Sequence, residues 1–414
     1  MATENNNKTL NVPNLRFPEF SGEWDRIKVS DLLEFYPTNS LSWEQLDYSG
    51  EGIFNLHYGL IHKGLPTQVD VSENNLPTIK DEYIPKKMSL CQNGDVAFAD
   101  ASEDTNDVAK CIEFANCEDR KIVCGLHTIH GRDSINKTID GFKGYAFAAP
   151  AFRQQIRRLA QGTKIYSVSS NNFAECYIGI PSKAEQTKIA ELLYKLDKRI
   201  ATQIKIIEDL KKLKSAISNE IFEQTSNRIC ELKEIASVIM GQSPSSHAYN
   251  NNAEGLPLIQ GNLDIENGQL SPRIYTSEIT QTCECGDVIL TVRAPVGEIA
   301  IAQQEACIGR GVCSIRPHVK NDTNLIYQFL QYFKPKWGSL EQGSTFTAVS
   351  GTDIRGIAVS IPSADKIELL NVYDNKIKVE SRILANLIQQ KQYLLAQMFI
   401  YKHLGQEILF LLIV

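Results

Sequence analysis

The chain has 414 residues, 43% hydrophobic and 22% charged, with a formal net charge of −6. That length allows two or three domains with cores of their own, and the composition excludes a disordered chain or a generally polybasic nucleic-acid binder, though not a basic face on one domain. Ten cysteines without a Cys-x-x-Cys do not make a disulfide framework, and the opening residues lack a basic-then-apolar leader. The longest apolar run, Ile408 to Val414, falls far short of the roughly 20 residues that span a bilayer. The expectation is a reduced, cytoplasmic protein with no membrane segment.

In chain order, Asp95 to Ala99 reads as a strand opened by a Gly-Asp turn, and Phe152 to Leu159 as a short helix before the turn Gln161-Gly162-Thr163. A segment free of Gly and Pro follows from Lys183 to Gln224. The same order then returns. Asp287 to Val292, Glu298 to Ala302 and Gly311 to Ile315 read as strands, and Ile326 to Phe333 as a helix. Next come a turn at Gln342-Gly343-Ser344 and a second Gly- and Pro-free segment from Ala364 to about Lys402.

The recurrence is a duplication. Leu159 to Ser182 reappears as Leu340 to Ser363 at an offset of 181, Asn93 to Val96 as Cys285 to Val288 at 192, and Ile27 to Leu32 as Cys230 to Ile235 at 203. The falling offsets mean shorter loops in the second copy, between shared framework elements. The fold class is therefore α/β (α+β), with each block followed by a long helix.

In the first long segment, alternating steps of three and four pick out Leu193, Leu196, Ile200, Gln203, Ile207, Leu210, Lys214, Ile217 and Ile221. In the second they pick out Leu370, Tyr373, Ile377, Glu380, Leu384, Leu387, Lys391, Leu394 and Met398, at a uniform offset of 177. A 3.5-residue seam predicts that the two helices pair as a coiled coil. The expected orientation is antiparallel, with Gln203 opposite Lys391 and Lys214 opposite Glu380, because a parallel pairing would set Lys214 beside Lys391.

Chemistry is sparse. There is no Gly-Lys for a phosphate loop, no Asn-Pro for an amino-methyltransferase turn, no dinucleotide glycine fingerprint and no Pro-Asp leading into Glu-x-Lys. His127 and His130 with Cys111, Cys117 and Cys124 fit no zinc spacing, so no metal site is expected. Basic residues are placed more suggestively. Arg153 and Arg157 share a helical face ahead of Lys164 and Tyr166, and Lys334, Lys336 and Trp337 precede Gly343-Ser344-Thr345. Arg or Lys beside a Gly-Ser/Thr turn suits phosphate oxygens, although an ordinary solvated helix face has the same composition.

Leu15 to Trp24 (LRFPEFSGEW) resembles the opening of specificity (S) subunits of type I restriction–modification systems. The doubled Gly-Asp-Val, Gln-Gly-(Thr/Ser) and Ile-Pro-Ser elements ahead of long helices resemble that family too, as does Leu395 to Ile400. The resemblance spans about residues 15 to 402. It implies two target-recognition domains, 15–182 and 227–363, each reading half of a split site on double-stranded DNA. A central helix, 183–226, and a distal helix, 364–402, would form an antiparallel coiled coil that docks two methyltransferase (M) subunits. It further implies no active site or cofactor on this chain. S-adenosylmethionine would serve adenine-N6 methylation by the M subunits, and ATP and Mg2+ would serve cleavage by the restriction (R) subunits.

The candidate DNA contacts are Lys143, Arg153, Arg157, Lys164 and Tyr166 in the first domain, and Arg293, Arg310, Lys336, Ser344 and Thr345 in the second. The 28 residues from Leu193 to Ile221 make a rod of about 42 Å, or roughly 12 base pairs of spacer. Two other readings stay open: a coiled-coil scaffold whose α/β domains bind protein partners, and an enzyme with an unrecognised site. The apolar end, Ile408 to Val414, has no counterpart in the repeat.

Overall fold

The computed structural model describes residues 11–73, 75–339 and 348–400. It divides into two compact units, Met1–Gln203 with Ile383–Val414, and Ile204–Arg382. Ser344, Thr345 and the Ile408–Val414 tail lie outside the described residues.

In the first unit, Val96–Ala99 and Cys111–Ala115 are almost wholly buried apolar runs, the composition of central strands covered on both faces. They sit inside a five-stranded sheet ordered Glu34–Tyr36, Thr128–Arg132, Val96–Ala99, Cys111–Ala115, Gln68–Asp70. Only its last pair is parallel. A second, four-stranded sheet sets Lys121–Cys124 parallel to Ile53–Leu56. A two-stranded ribbon, Asp25–Lys28 with Tyr177–Ile180, leads into the first long helix.

The second unit repeats this plan. Ala236–Met240, Val312–Pro317, Val288–Thr291, Ile299–Ile301 and Gln269–Leu270 follow the same order and senses, with Ile265–Glu266 added at the edge. Leu256–Ile259 runs parallel to Ala306–Ile308, and Arg228–Glu231 pairs with Ala358–Ile361. The duplicated Gly-Asp-Val has a clear role. Asp95 accepts from Arg132 at 2.7 and 2.8 Å, and Asp287 from Arg316 at 3.0 and 3.1 Å, so each buried carboxylate ties two neighbouring strands together.

The long helices run Lys183–Phe222 and Ala364–Gln397 and pack together as an antiparallel pair. All eighteen seam positions are buried or half-buried, while most residues between them are exposed. The ion pair differs from the register arithmetic. Lys214 meets Asp374 at 2.6 Å rather than Glu380, which bonds Lys376 one turn earlier on its own helix. Lys391 likewise meets Asp197 at 2.6 Å, the matching pair of residues 177 positions apart. Both aspartates follow a seam residue, so the charges meet at the edge of the seam, where desolvation costs less than at its centre.

The LRFPEFSGEW segment is a clasp. Arg16 donates twice to Glu185 at 2.7 Å, at the start of the first long helix. The Leu15 N–H bonds the Gln397 carbonyl at 2.9 Å, and Trp24 stands edge-on to Phe399 with ring centroids 6.2 Å apart.

Candidate nucleic-acid interface

Four chain segments of the second unit converge on a cleft of about 690 Å³. The loop after Ala236–Met240 brings Ser243, Ser246 and Tyr249, and the end of Leu256–Ile259 brings Gln260 and Asn262. Arg293 follows Val288–Thr291, and Arg310 sits on the turn between Ala306–Ile308 and Val312–Pro317. Close backbone approach makes this possible. A Cβ on Gly311 would fall 2.0 Å from the Gln260 carbonyl oxygen, and one on Gly241 would fall 2.2 Å from that of Gly309.

Arg293 and Arg310 are exposed and make no ion pair among the described residues. Ser243 Oγ accepts from the Arg310 N–H at 3.1 Å, which fixes the turn. The Gln260 Nε2 is buried with no hydrogen-bond partner among the described residues. Two guanidinium groups, an amide, hydroxyls and a tyrosine around one concavity are the donors and acceptors that read base edges and hold phosphates.

The same end of the first unit is built from different residues. The Val292 N–H bonds the Gly311 carbonyl, as the Asp100 N–H bonds that of His127, so Ala101 and Leu126 stand where the second unit has Arg293 and Arg310. Around them lie aromatic and imidazole rings. Trp43 lies against His57 with centroids 4.3 Å apart, His57 against Tyr58 at 4.7 Å, and Tyr58 against His127 at 5.2 Å. Lys63 sits over the Trp43 ring at 5.4 Å. Burial holds His57 below the usual imidazole range, and the nearby charges of His127 and Lys63 push it the same way. Stacking platforms with few fixed charges can also bind bases.

The expected contacts of the first unit lie elsewhere. Lys143 is only 2% exposed, with its ammonium 3.2 Å from Glu113 and donating to Thr138 at 3.2 Å, so it is a core ion pair and not a surface contact. Arg153 and Arg157 hold the loop at Asn106, through its carbonyl and, at 3.2 Å, its side chain. Lys164 is exposed, and the half-buried Tyr166 is paired in a short strand with Ser102. In the second unit, exposed Lys336 donates to the Tyr332 hydroxyl at 2.8 Å and lies over that ring. Among the described residues, the structure thus brings Arg293 and Arg310 together at the cleft and Arg153 with Arg157 at the Asn106 loop. Trp43, His57, Tyr58, Ser243 and Gln260 were absent from the sequence-based expectation.

Comparison with known proteins agrees with this architecture. A family model described as type I restriction modification DNA specificity domain matches twice, at residues 23–212 and 227–389. A protein of Methanocaldococcus jannaschii, named as the specificity subunit of the type I restriction enzyme MjaX, is 25% identical over 401 residues, 91% of this chain and 92% of its own. The crystal structure of the S subunit of a type I restriction–modification system from M. genitalium has a similar fold, with a TM-score of 0.57 at 16% identity over 95% of this chain and all of its own. A chain from a structural study of complex assembly and conformational transition in a type I system aligns with a TM-score of 0.56 at 21% identity, covering 90% of this chain and 96% of that one. Two copies of one sheet plan, each opening into a long paired helix and each matched by the same family model, place this chain in the type I restriction–modification DNA specificity family.

Proposed function

We propose that this chain is the DNA-recognition subunit of a type I restriction–modification complex, reading a bipartite target with one unit per half-site. The observation that carries this reading is the divergence of equivalent loops on a duplicated framework. Equivalent loops on one framework carry Arg293, Arg310 and Gln260 in one copy, and Trp43, His57 and Tyr58 in the other. A shared scaffold with divergent loops is what a reader of two unlike half-sites requires. Within this proposal the domains are 15–182 and 227–363, and the long helices both space them and dock two M subunits. Exposed apolar side chains off the seam, among them Ile206, Leu213, Val372 and Tyr393, support the docking role. Methylation with S-adenosylmethionine and cleavage driven by ATP and Mg2+ belong to the M and R subunits. No described helix is long and apolar enough to cross a membrane.

The chain copurified with its M subunits should leave a bipartite, sequence-specific footprint, and methylation mapping should find adenines in both halves. A chain that binds proteins but leaves no footprint would favour the scaffold reading. Inserting one heptad into the first helix should abolish recognition of the original spacer, because it adds about 10 Å to the rod. An unchanged spacer after insertion ends the ruler idea.

A further inference from the structure

The structure gathers Cys91, Cys124 and His130 in the buried heart of the first unit, with one potential ligand atom from each within 4.8 Å of the others. The two sulfurs are 3.6 Å apart. Sulfur–sulfur contact alone would be ordinary packing, and the imidazole is what makes this a site. His130 is 1% exposed, and its Nε2 meets the Asp95 carboxylate at 2.8 Å. A carboxylate only accepts, so Nε2 carries a proton, and in the neutral imidazole Nδ1 keeps its lone pair. That Nδ1 is buried and has no hydrogen-bond partner among the described residues. A buried acceptor without a donor is costly, and native interiors rarely leave one so. Asp95 is itself fixed by Arg132 at 2.7 and 2.8 Å, an outer carboxylate that sets the tautomer and orientation of a metal-binding imidazole.

We propose that Cys91, Cys124 and His130 hold a zinc ion. Thiolates bind zinc at about 2.3 Å, so two of them on a tetrahedral ion lie about 3.8 Å apart, close to the separation found. Binding forms two Zn–S bonds and one Zn–N bond and releases the two thiol protons to solvent. The two thiolate charges cancel the dication, so the buried site stays neutral. One tetrahedral position remains for a neutral ligand such as water, which leaves this charge balance unchanged.

The second unit shows that the fold does not require this triad. Cys283, Ile308 and Ser314 occupy the corresponding positions, and Ser314 donates to Asp287 at 2.7 Å where His130 meets Asp95. The same framework is thus satisfied by one thiol, a hydrocarbon and a hydroxyl. The ion would pin the loop at Cys91, the strand Lys121–Cys124 and the strand Thr128–Arg132 to one point.

The test is the zinc content of the full chain by plasma mass spectrometry, after purification with and without added zinc sulfate. Wild type should carry one zinc per chain, as should Cys285→Ser, which alters an exposed thiol. Cys91→Ser and Cys124→Ser should each lose it. Cobalt(II) added to wild type should give thiolate-to-cobalt charge-transfer absorption, and this measurement decides the matter if either variant fails to fold. Zinc at buffer background in folded wild type, absence of the cobalt band, zinc retained by both variants, or a Cys91–Cys124 disulfide in a chain that takes no zinc would each overturn the site.

Discussion

The two units solve one folding problem identically and face solvent differently. Their main sheets share strand order, sense and a buried aspartate–arginine tie, yet the loops at one end carry two arginines in the second unit and a tryptophan–histidine–tyrosine cluster in the first. Framework and loop surface have therefore separated. The framework depends on buried charges and hydrogen bonds that tolerate little change, while the loops depend on backbone approach and accept many side chains.

The largest expected effect tests the shared half of this comparison. Asp287→Ala should cost about 3 kcal/mol or more, because it leaves the Ser314 hydroxyl and the Glu284 N–H without an acceptor and strips Arg316 of its buried partner. Asp95→Ala should cost as much in the first unit. Hydrogen exchange under mild denaturant should localise each loss to the unit that carries the change, and a loss spread evenly over both would break the picture of independent frameworks.

Next comes the divergent half. Arg310→Ala and Arg293→Ala should each weaken binding at the second half-site by about 1–3 kcal/mol, leaving discrimination at the first untouched. Competition between duplexes altered in one half-site, with the M subunits present, measures this. Equal losses at both halves would mean that the arginines add only general charge.

The smallest effect is a pH dependence peculiar to the first unit. His57 titrates below 6.5 in the free chain, so its folded state binds fewer protons than the unfolded chain in that window, and stability falls as pH drops through it. A phosphate at this cluster favours the imidazolium, so binding at the first half-site should tighten modestly as pH falls from 7.5 to about 6, while the arginine half stays flat. A flat profile for both halves removes His57 from the interface.

The duplication, the strands around each Gly-Asp and the helix seam were legible because they are local patterns repeated at fixed offsets. The cleft was not, since Ser243, Gln260, Arg293 and Arg310 come from four separate stretches and share no spacing. Lys143 shows a different failure. It was expected to contact DNA, but it lies in the apolar string Gly141 to Ala149, and Glu113 lies in the equally apolar Cys111 to Ala115. Two opposite charges, each alone in a hydrophobic run, were a signal for a buried pair. The Lys214 partner was missed because seam arithmetic places residues and not the reach of a lysine.

The clasp has a consequence for the order of assembly. Ile204 to Arg382 is one continuous stretch, whereas the first unit takes Met398 and Phe399 into its core beside Trp24. During synthesis the unit begun first is therefore completed last, after the second unit has emerged in full. Trimming the chain from Met398 onward should unravel the amino-terminal unit and spare its neighbour, an injury felt more than 350 residues away along the chain.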